Sequence, residues 1–401
     1  MINSPPEPVP AWLTILVIVQ LAFGLLTMTI CLPSMLEWPR LFGASQAAVQ
    51  LTFSGFVAAY GGFQLVHGPL SDRFGRKPVL LIGLTTAAAG LLLAASAQSL
   101  GVLVLARILQ GAGSAAGMVV GRALVQDLFR GPERTRVMAF VGMSMGLCPP
   151  AATLIGGWVH VNWGWRANFL LMAVFAVVLL VAAWRGLPGG RPQAASASSV
   201  RELLAGYGRL ARMPAFVASV LLLSATTASF YAYLTGAPLV LAGYGVRPDQ
   251  IGWYLMTPPL AYIVGNLLTV RLVRSHSDRS IMWMGQSLTL TGLVVAALVA
   301  AFLPAGPLAL ALPLLLLGFG HGLLVPPSLV GTVGLVPALA GSAAAVAGLM
   351  QQVGGALAGY FVGWMPRPDA LSLTLMMVAW TSLGALALAS LSRVAPVPHR
   401  G

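Results

Sequence analysis

Charged residues are scarce in this sequence, and cysteine is almost absent. Asp, Glu, Lys and Arg together make up only 8% of the 401 residues. The two cysteines, Cys31 and Cys148, both lie in apolar runs, which gives neither a disulfide framework nor a metal-ligand spacing. The sequence also has no phosphate-binding loop and no metal-binding helix motif. We therefore expect no metal, no cofactor and no chemistry driven by ATP hydrolysis.

Apolar residues dominate instead, and they are arranged in long runs. Hydrophobic residues make up 58% of the chain, and the mean hydropathy is +0.88. Breaks at charges, proline and glycine predict twelve apolar spans, centred roughly on residues 23, 57, 88, 113, 146, 175, 226, 262, 291, 320, 353 and 381. The run 169–184 is apolar on all sides, as a lipid-exposed helix is, and lacks the alternation of a barrel strand. The pattern predicts an all-α membrane protein with twelve transmembrane helices.

Basic residues are distributed unevenly between the predicted loops. A formal net charge of +13 suggests a nucleic-acid partner at first sight. Most of the basic residues, however, fall in alternate loops, and the intervening loops hold only Arg40, Arg166, Arg247 and Arg367. This is the positive-inside pattern, and it predicts a multi-pass protein of a bacterial-type inner membrane with both termini in the cytoplasm. The lipid bilayer is the expected partner of the charge, so we expect no nucleic acid.

The longest polar interval, 185–214, separates six spans from six and ends in a basic stretch typical of a short amphipathic helix. We predict an N-terminal six-helix bundle over residues 1–185, a cytoplasmic linker over 186–212 and a C-terminal six-helix bundle over 213–401. An internal repeat is indicated because the charged loop 68–78 has a degenerate counterpart at 270–280.

The charged loop itself reads GPLSDRFGRKP. Together with the twelve spans and the central loop, it resembles the major facilitator superfamily, whose loop between helices 2 and 3 has the pattern G-x-L-x-D-R-x-G-R-K. The matching residues are Gly68, Leu70, Asp72, Arg73, Gly75, Arg76 and Lys77. The resemblance covers nearly the whole chain and implies two pseudo-symmetric six-helix bundles with a shared substrate site.

Three further segments resemble the bicyclomycin-resistance (Bcr/CflA) group of drug:proton antiporters within that superfamily. They are 107–129 in the fourth span, 149–158 in the fifth and 337–348 at the start of the eleventh. The fifth-span segment corresponds to an antiporter motif that kinks the helix, with Gly146, Pro149, Pro150, Gly156 and Gly157 as its candidate residues. The resemblance implies a secondary transporter that exchanges small amphipathic drugs or metabolites for protons. We expect it to be a monomer.

Two positions depart from that group. Relatives often carry an acid in the first helix shortly before Leu-Pro, and Thr29 stands at that place. Thr153 stands where a second proline is common. The missing acid keeps open an alternative, a metabolite facilitator or importer on the same fold. A non-transporting receptor or an intramembrane enzyme is a remote alternative, because no large soluble domain and no paired catalytic residues are present.

Arg107 is the strongest candidate for proton coupling or substrate binding. A guanidinium inside a span is unfavourable by roughly 2.5 to 3.5 kcal/mol, so it needs a partner or a hydrated cavity. His321 in the tenth span titrates near neutrality and is a candidate substitute for the missing acid, although a packing role is equally compatible. Glu37, at the end of the first span, is a third candidate with an interfacial position.

Near the inner end of the fourth span, the resemblance implies that an acid pairs with the charged loop and locks the outward-facing conformation. The candidates for this conformational latch are Asp72, Arg73, Gly75, Arg76, Lys77, Arg122 and Asp127, and we predict the pair Asp127 with Arg73. Polar and aromatic residues that are candidates to line a substrate cavity are Thr29, Tyr231, Tyr233, Tyr254, Tyr262, Asn266, Gln351 and Gln352.

Overall fold

The computed structural model describes residues 10–187, 200–304, 306–336 and 339–391. Within them the regular structure is helical. The helices are α1 (Ala11–Thr29), α2 (Trp38–Phe42), α3 (Gln46–Phe74), α4 (Arg76–Ala95), α5 (Leu100–Leu128), α6 (Gly131–Trp163), α7 (Trp165–Gly186), α8 (Val200–Ala211), α9 (Pro214–Gly243), α10 (Pro248–Leu255), α11 (Thr257–Leu272), α12 (Asp278–Phe302), α13 (Pro307–Ala311), α14 (Leu314–Gly334), α15 (Ala340–Val362) and α16 (Ala370–Leu391). A 3-10 helix, Leu32–Leu36, follows α1.

The predicted all-α membrane fold with twelve transmembrane helices is confirmed. Nine helical stretches of the described chain are long and apolar enough to cross a bilayer on length and composition alone. The other three spans are α3 and α6, which are long but less apolar, and the eighth span, which is divided at Met256 into α10 and α11.

Helix pairs in the two halves repeat the same close contact. Gly83 of α4 meets Gly113 of α5 so closely that a Cβ on Gly83 would lie 2.8 Å from the Gly113 carbonyl oxygen. In the second half, Gly285 of α12 meets Gly320 of α14 in the same way. Small residues are the usual means of bringing helix backbones together in lipid. The shared contact supports two pseudo-symmetric bundles.

The linker region is partly described. Residues 188–199 of the predicted linker lie outside the described part of the chain, whereas 200–211 form the expected short helix, α8. Leu210 of α8 is fully buried and packs with Phe216 of α9 and Ala343 of α15. The linker therefore ends in a helix that is fixed to the second half.

One end of the molecule carries the loops around Gly75 and Arg130 and the loop 273–277, together with α8, and we call it the basic end. The other end, called the opposite end, carries the 3-10 helix, Gly164 and the loops 244–247 and 363–369.

The two halves contact each other from the middle of the helices to the opposite end. α3 packs against α15 and α6 packs against α10. A Cβ on Gly359 would lie 2.8 Å from Cδ1 of Phe53, and a Cβ on Gly61 would lie 2.6 Å from Cβ of Gln352. Nearer the basic end, an added Cβ on Gly348 of α15 would still lie 3.9 Å from Oε1 of Gln64 of α3, whereas one on Gly341, two turns further, would meet no described atom within 4 Å. The contact between α15 and α3 therefore ends between Gly348 and Gly341.

Candidate transport site

Arg107 lies at the junction of four helices of the first half. Its guanidinium is fully buried and donates to the carbonyl oxygens of Thr27 at 2.8 Å and Met28 at 2.9 Å in α1. It also donates to the Thr52 carbonyl of α3 at 3.3 Å and to Oε1 of Gln110 at 2.7 Å. The charge is thus satisfied by oxygen acceptors within the bundle.

These acceptors are available because α1 ends early. The segment Cys31–Leu32–Pro33 converts α1 into the 3-10 helix Leu32–Leu36, so the last carbonyls of α1 are left for other donors. A cation at the C-terminus of a helix is also favoured by the helix dipole. Arg107 therefore caps α1, and its Cζ lies 4.4 Å from the ring centroid of Phe56.

Thr29, which stands in place of the expected acid, is buried beside this junction. Its hydroxyl donates to the Leu25 carbonyl at 2.9 Å, one turn earlier in α1. Gln110 extends the network to α4, because its Nε2 donates to the Gly90 carbonyl at 3.0 Å. The hydrogen bonds of Arg107 and Gln110 thus join α1, α3, α4 and α5.

At the basic end, Asp127 pairs with Arg76, and the predicted pair of Asp127 with Arg73 is wrong. Nε of Arg76 lies 3.2 Å from Oδ2 of Asp127, and Nη1 of Arg76 also binds Asp72. Gly75 has φ of 95°, a conformation that favours glycine, and it reverses the chain between α3 and α4. The reversal brings Arg76 back toward the ends of both α3 and α5, whereas Arg73 stacks over the Phe74 ring.

Lys77 has a different partner from the other basic residues of the loop. Its Nζ donates to the carbonyl oxygen of Leu187 at 2.9 Å, and Leu187 caps the C-terminus of α7. Arg122 is exposed and makes no hydrogen bond or ion pair with another described residue. The latch candidates thus lie together in the first half, with Arg122 standing apart.

The fifth span, α6, passes through Pro149 and Pro150 as one helix. The neighbouring glycines Gly156 and Gly157 face different partners. Gly156 lies against the Ile30 carbonyl of its own half, and Gly157 against the Pro248 carbonyl of the second half. Gly146 also faces the second half, because an added Cβ would lie 3.9 Å from Cγ1 of Ile263. α6 is therefore shared between the two halves.

Several of the cavity candidates meet where the halves join. The Tyr231 hydroxyl donates to Oε1 of Gln352 at 3.3 Å, and the Tyr231 ring lies edge-on to Phe53 of the first half at a centroid distance of 5.7 Å. Gln351 accepts a hydrogen bond from Thr227 at 3.2 Å. Tyr231 and Gln352 therefore face the junction of the halves, whereas Gln351 bonds within the second half.

The remaining aromatic candidates lie within the second half. Tyr233 is buried and donates to the Tyr254 carbonyl at 3.0 Å, which Thr257 also binds at 2.8 Å. This carbonyl lies at the division between α10 and α11, where Pro258 has no amide hydrogen to offer. Tyr262 and Asn266 are both half-buried and lie one turn apart on α11.

His321 and Glu37 occupy separate places. His321 is only 6% exposed, and it makes no hydrogen bond with another residue in the described ranges. Glu37 is exposed at the opposite end, where its Oε2 lies 3.8 Å from Nε2 of His160. The structure brings neither of them to Arg107.

Sequence reasoning missed two residues of this region. Tyr60 of α3 stacks on Phe56 and has a buried hydroxyl without a partner among the described residues. Asn168 of α7 is fully buried and donates to Ser34 at 3.1 Å and to the Gly156 carbonyl at 3.0 Å. A polar residue within an apolar run was the available signal for both.

Two six-helix halves that meet around a polar centre define a membrane transporter rather than an enzyme. The model of the Major Facilitator Superfamily matches residues 13–359. The chain belongs to this superfamily, and the predicted resemblance is confirmed.

Proteins with similar sequences include several named for drug resistance. Multidrug resistance protein D of Escherichia coli (strain K12) is 28% identical over 91% of this chain and 92% of its own length. Chloramphenicol resistance protein of Pseudomonas aeruginosa is 30% identical over 74% of this chain and 70% of its own. The bicyclomycin resistance protein homolog of Haemophilus influenzae is 24% identical over 89% and 90%.

Solved structures share the fold at low sequence identity. A bacterial homologue of the human lysosomal transporter Spinster, in an inward-facing and unoccupied conformation, gives a TM-score of 0.76 at 14% identity and covers 96% of this chain and 97% of that one. A D-xylose-proton symporter gives a TM-score of 0.74 at 16% identity, covering 96% and 98%.

Proposed function

We propose that this protein is a proton-coupled exporter of small amphipathic drugs or metabolites that works by alternating access. The observation that carries the proposal is the junction of the two halves. The halves meet at Phe53, Tyr231 and Gln352, and the contact of α15 with α3 ends before Gly341, toward the basic end. The names of the similar proteins support drugs as substrates.

The positive-inside pattern supports a cytoplasmic location for the basic end, and with it for both termini. A substrate then reaches the junction of the halves from the cytoplasm. Residues 1–185 and 213–401 act as the two moving bundles, joined by the linker 186–212, and one chain holds the whole path, so the working unit is a monomer. Rocking of the bundles closes the basic end and opens the opposite end.

Proton coupling needs a group that gains and loses a proton during the cycle. Every acid in the described ranges lies at or next to a helix end, so none sits at the depth of Tyr231. His321 is the candidate carrier, because it lies within α14 and an imidazole can gain and lose a proton during the cycle. Its protonation adds a charge to the second half and changes the relative free energies of the two conformations. Arg107 acts from the first half by holding α1.

The cluster of Asp72, Arg76 and Asp127 is the proposed latch at the basic end. It joins the ends of α3, α4 and α5 within the first half. Charges at this surface are available to the second half only when the basic end closes. The latch therefore stabilises the conformation that is closed toward the cytoplasm.

Everted membrane vesicles test coupling and direction together. Respiration acidifies the vesicle lumen, and a transported drug added outside should exchange for luminal protons, so the lumen becomes more alkaline. The matched control is Gly157→Val, which places a side chain against the Pro248 carbonyl and obstructs closure of the halves. Drug flux without proton movement would indicate the alternative, a facilitator.

A second measurement tests the proton carrier. The His321→Gln protein should lose drug-induced proton movement at equal abundance, while it still binds drug. A His321→Gln protein that exchanges drug for protons at the wild-type rate would remove His321 from this role.

A further inference from the structure

Buried polar atoms lie along the first two turns of α3, where this helix packs against α15 of the other half. Gln50 is 1% exposed, and its Oε1 makes no hydrogen bond with any described residue. Ser54, one turn further along α3, is 8% exposed, and its hydroxyl is in the same situation. Nε2 of Gln46, one turn before Gln50, is also buried without a described partner. Residues four apart share one face of a helix, and we call these three residues the α3 strip.

Glycines of α15 lie opposite the α3 strip. A Cβ on Gly363 would lie 3.0 Å from Cγ of Gln50 and 2.5 Å from Cα of Ala47. A Cβ on Gly359 would lie 3.5 Å from Oγ of Ser54. Glycine has no side chain that could donate to, or accept from, an amide or a hydroxyl. The close approach of the two helices therefore explains why the polar atoms of the strip are buried and why no side chain of α15 binds them.

Other buried hydroxyls of this protein are satisfied within their own helices. Thr52, also on α3, donates to the Val49 carbonyl at 2.8 Å. Ser219 of α9 is 7% exposed, nearly the same as Ser54, and donates to the Ala215 carbonyl at 2.8 Å. A buried polar group without a partner is less stable than the same group in water. The α3 strip therefore makes the contact with α15 weaker than an apolar strip of the same shape would be.

The position of the strip determines what its weakness affects. α3 begins and α15 ends at the opposite end, so this contact keeps the two halves together there. Close packing at glycines stabilises the contact through dispersion, whereas the buried polar atoms oppose it. Separation of α3 from α15 at the opposite end would expose the strip to water, which can hydrogen-bond all three side chains. Opening thus recovers part of the free energy that it loses in packing.

We propose that the α3 strip, with Gly359 and Gly363, forms a gate at the opposite end, and that its buried polar atoms favour opening of this gate. The proposal rests on the proposed alternating access and names the contact whose strength sets the release of substrate at that end. Removal of one such atom, with the shape of the contact retained, should lower the ratio of open to closed protein by about fivefold or more.

Spin labels measure this ratio without touching the strip. Leu41 of α2 and Arg367 of the loop 363–369 are exposed residues of the opposite end, one in each half. Both are replaced by cysteine in a full-length chain without Cys31 and Cys148, and the labelled protein is placed in nanodiscs. Distances between the two labels, measured by double electron–electron resonance, separate the open from the closed conformation and give the population of each.

Two variants of the strip and one matched control test the proposal. Gln50→Met keeps Cβ and Cγ and removes the amide, and Ser54→Ala removes the hydroxyl. Each should lower the ratio of open to closed protein by about fivefold or more. Ser219→Ala removes a hydroxyl of similar burial that has a partner, and it should leave the ratio unchanged. A ratio that neither strip variant lowers would overturn the proposal.

Thermal unfolding decides the question if the wild-type protein shows only the closed distance. Loss of a buried atom without a partner stabilises the closed conformation, so Gln50→Met and Ser54→Ala should unfold at a higher temperature than the wild type. Ser219→Ala should unfold at the wild-type temperature or below it, because it loses a hydrogen bond. Unfolding temperatures of both strip variants at or below that of the wild type would contradict the gate.

These measurements use neither drug nor a proton gradient, so they are separate from the test of the proposed function. A protein that exchanges drug for protons, but whose strip variants change neither the distances nor the unfolding temperature, would overturn the gate and leave the transport function intact. A protein whose strip variants close the opposite end, but that moves no drug, would support the gate and contradict the transport function.

Discussion

Nη1 of Arg107 lies 2.8 Å from the carbonyl oxygen of Thr27, a residue 80 positions earlier in the chain. This hydrogen bond joins the middle of α5 to the end of α1. It gives an intramembrane charge a role in holding the first half together. Arg107 is therefore a candidate to influence transport by positioning α1.

Replacement of Arg107 is expected to destabilise the protein. Arg107→Ala removes four hydrogen bonds from a charged donor and leaves buried carbonyls without a partner, so the free energy of unfolding should fall by about 3 kcal/mol or more. Thermal unfolding in detergent measures the effect. Arg122→Ala, on the same helix but exposed, is the control and should unfold near the wild-type temperature. An equal fall in unfolding temperature for both variants would contradict the role of Arg107 as a cap of α1.

The partner of Asp127 can be identified by double-mutant cycles. Arg76 and Asp127 are partly exposed and 3.2 Å apart, so their coupling free energy should be about 0.2 to 1 kcal/mol. The cycle of Arg73 with Asp127 should give a coupling near zero. Thermal unfolding of the single and double alanine variants supplies both values, and a larger coupling for Arg73 would contradict the observed pairing.

A side chain at Gly157 should change the conformation rather than the fold. Gly157→Val forces α6 away from the Pro248 carbonyl, so the opposite end should open and transport should stop. Ala47→Cys, in a chain without Cys31 and Cys148, reports the opening as faster labelling by a membrane-impermeant maleimide. Gly384→Ala, whose added Cβ would sit 3.5 Å from Ala225 within one half, is the control and should transport normally. Unchanged labelling of the Gly157→Val chain would count against this interface.

Tyr233 and Thr257 share one acceptor, the Tyr254 carbonyl, and their effects should not be additive. Tyr233→Phe or Thr257→Val alone leaves that carbonyl with one donor, so each should lower the free energy of unfolding by about 0.5 to 1.5 kcal/mol. The double variant leaves it without a donor and should lose about 1 to 3 kcal/mol beyond the sum. Unfolding temperatures of the four proteins decide the matter, and strict additivity would mean that the two donors act separately.

The fold could be predicted because its signals are local and repeated. Apolar runs indicate the spans, and the spaced glycines Gly355, Gly359 and Gly363 indicate a packing surface. The structure adds that this surface meets three partners, Tyr231, Phe53 and Ala47. Which partner faces which glycine depends on how each helix is rotated about its own axis. A run that is apolar on all sides does not indicate this rotation.

The contacts of the charged residues were harder to predict. The spacing in GPLSDRFGRKP does not show that Gly75 turns Arg76 toward Asp127 and leaves Arg73 aside. The acceptors of Arg107 are backbone carbonyls, which every residue has, so no side chain in the sequence marks them. The roles of Arg107, His321 and Glu37 in transport stay predictions.

Lys77 of the charged loop donates a hydrogen bond to the carbonyl of Leu187, the residue that caps α7. The last helix of the first half is therefore capped by a residue of the same half. Within the described residues, the carbonyl group that follows α7 is satisfied by a donor of that half. A six-helix half whose last helix is capped from within is suited to gene duplication, because a second half can follow it without disturbing that hydrogen bond. The connection between the copies is then free to vary in sequence, provided that it is long enough to join them.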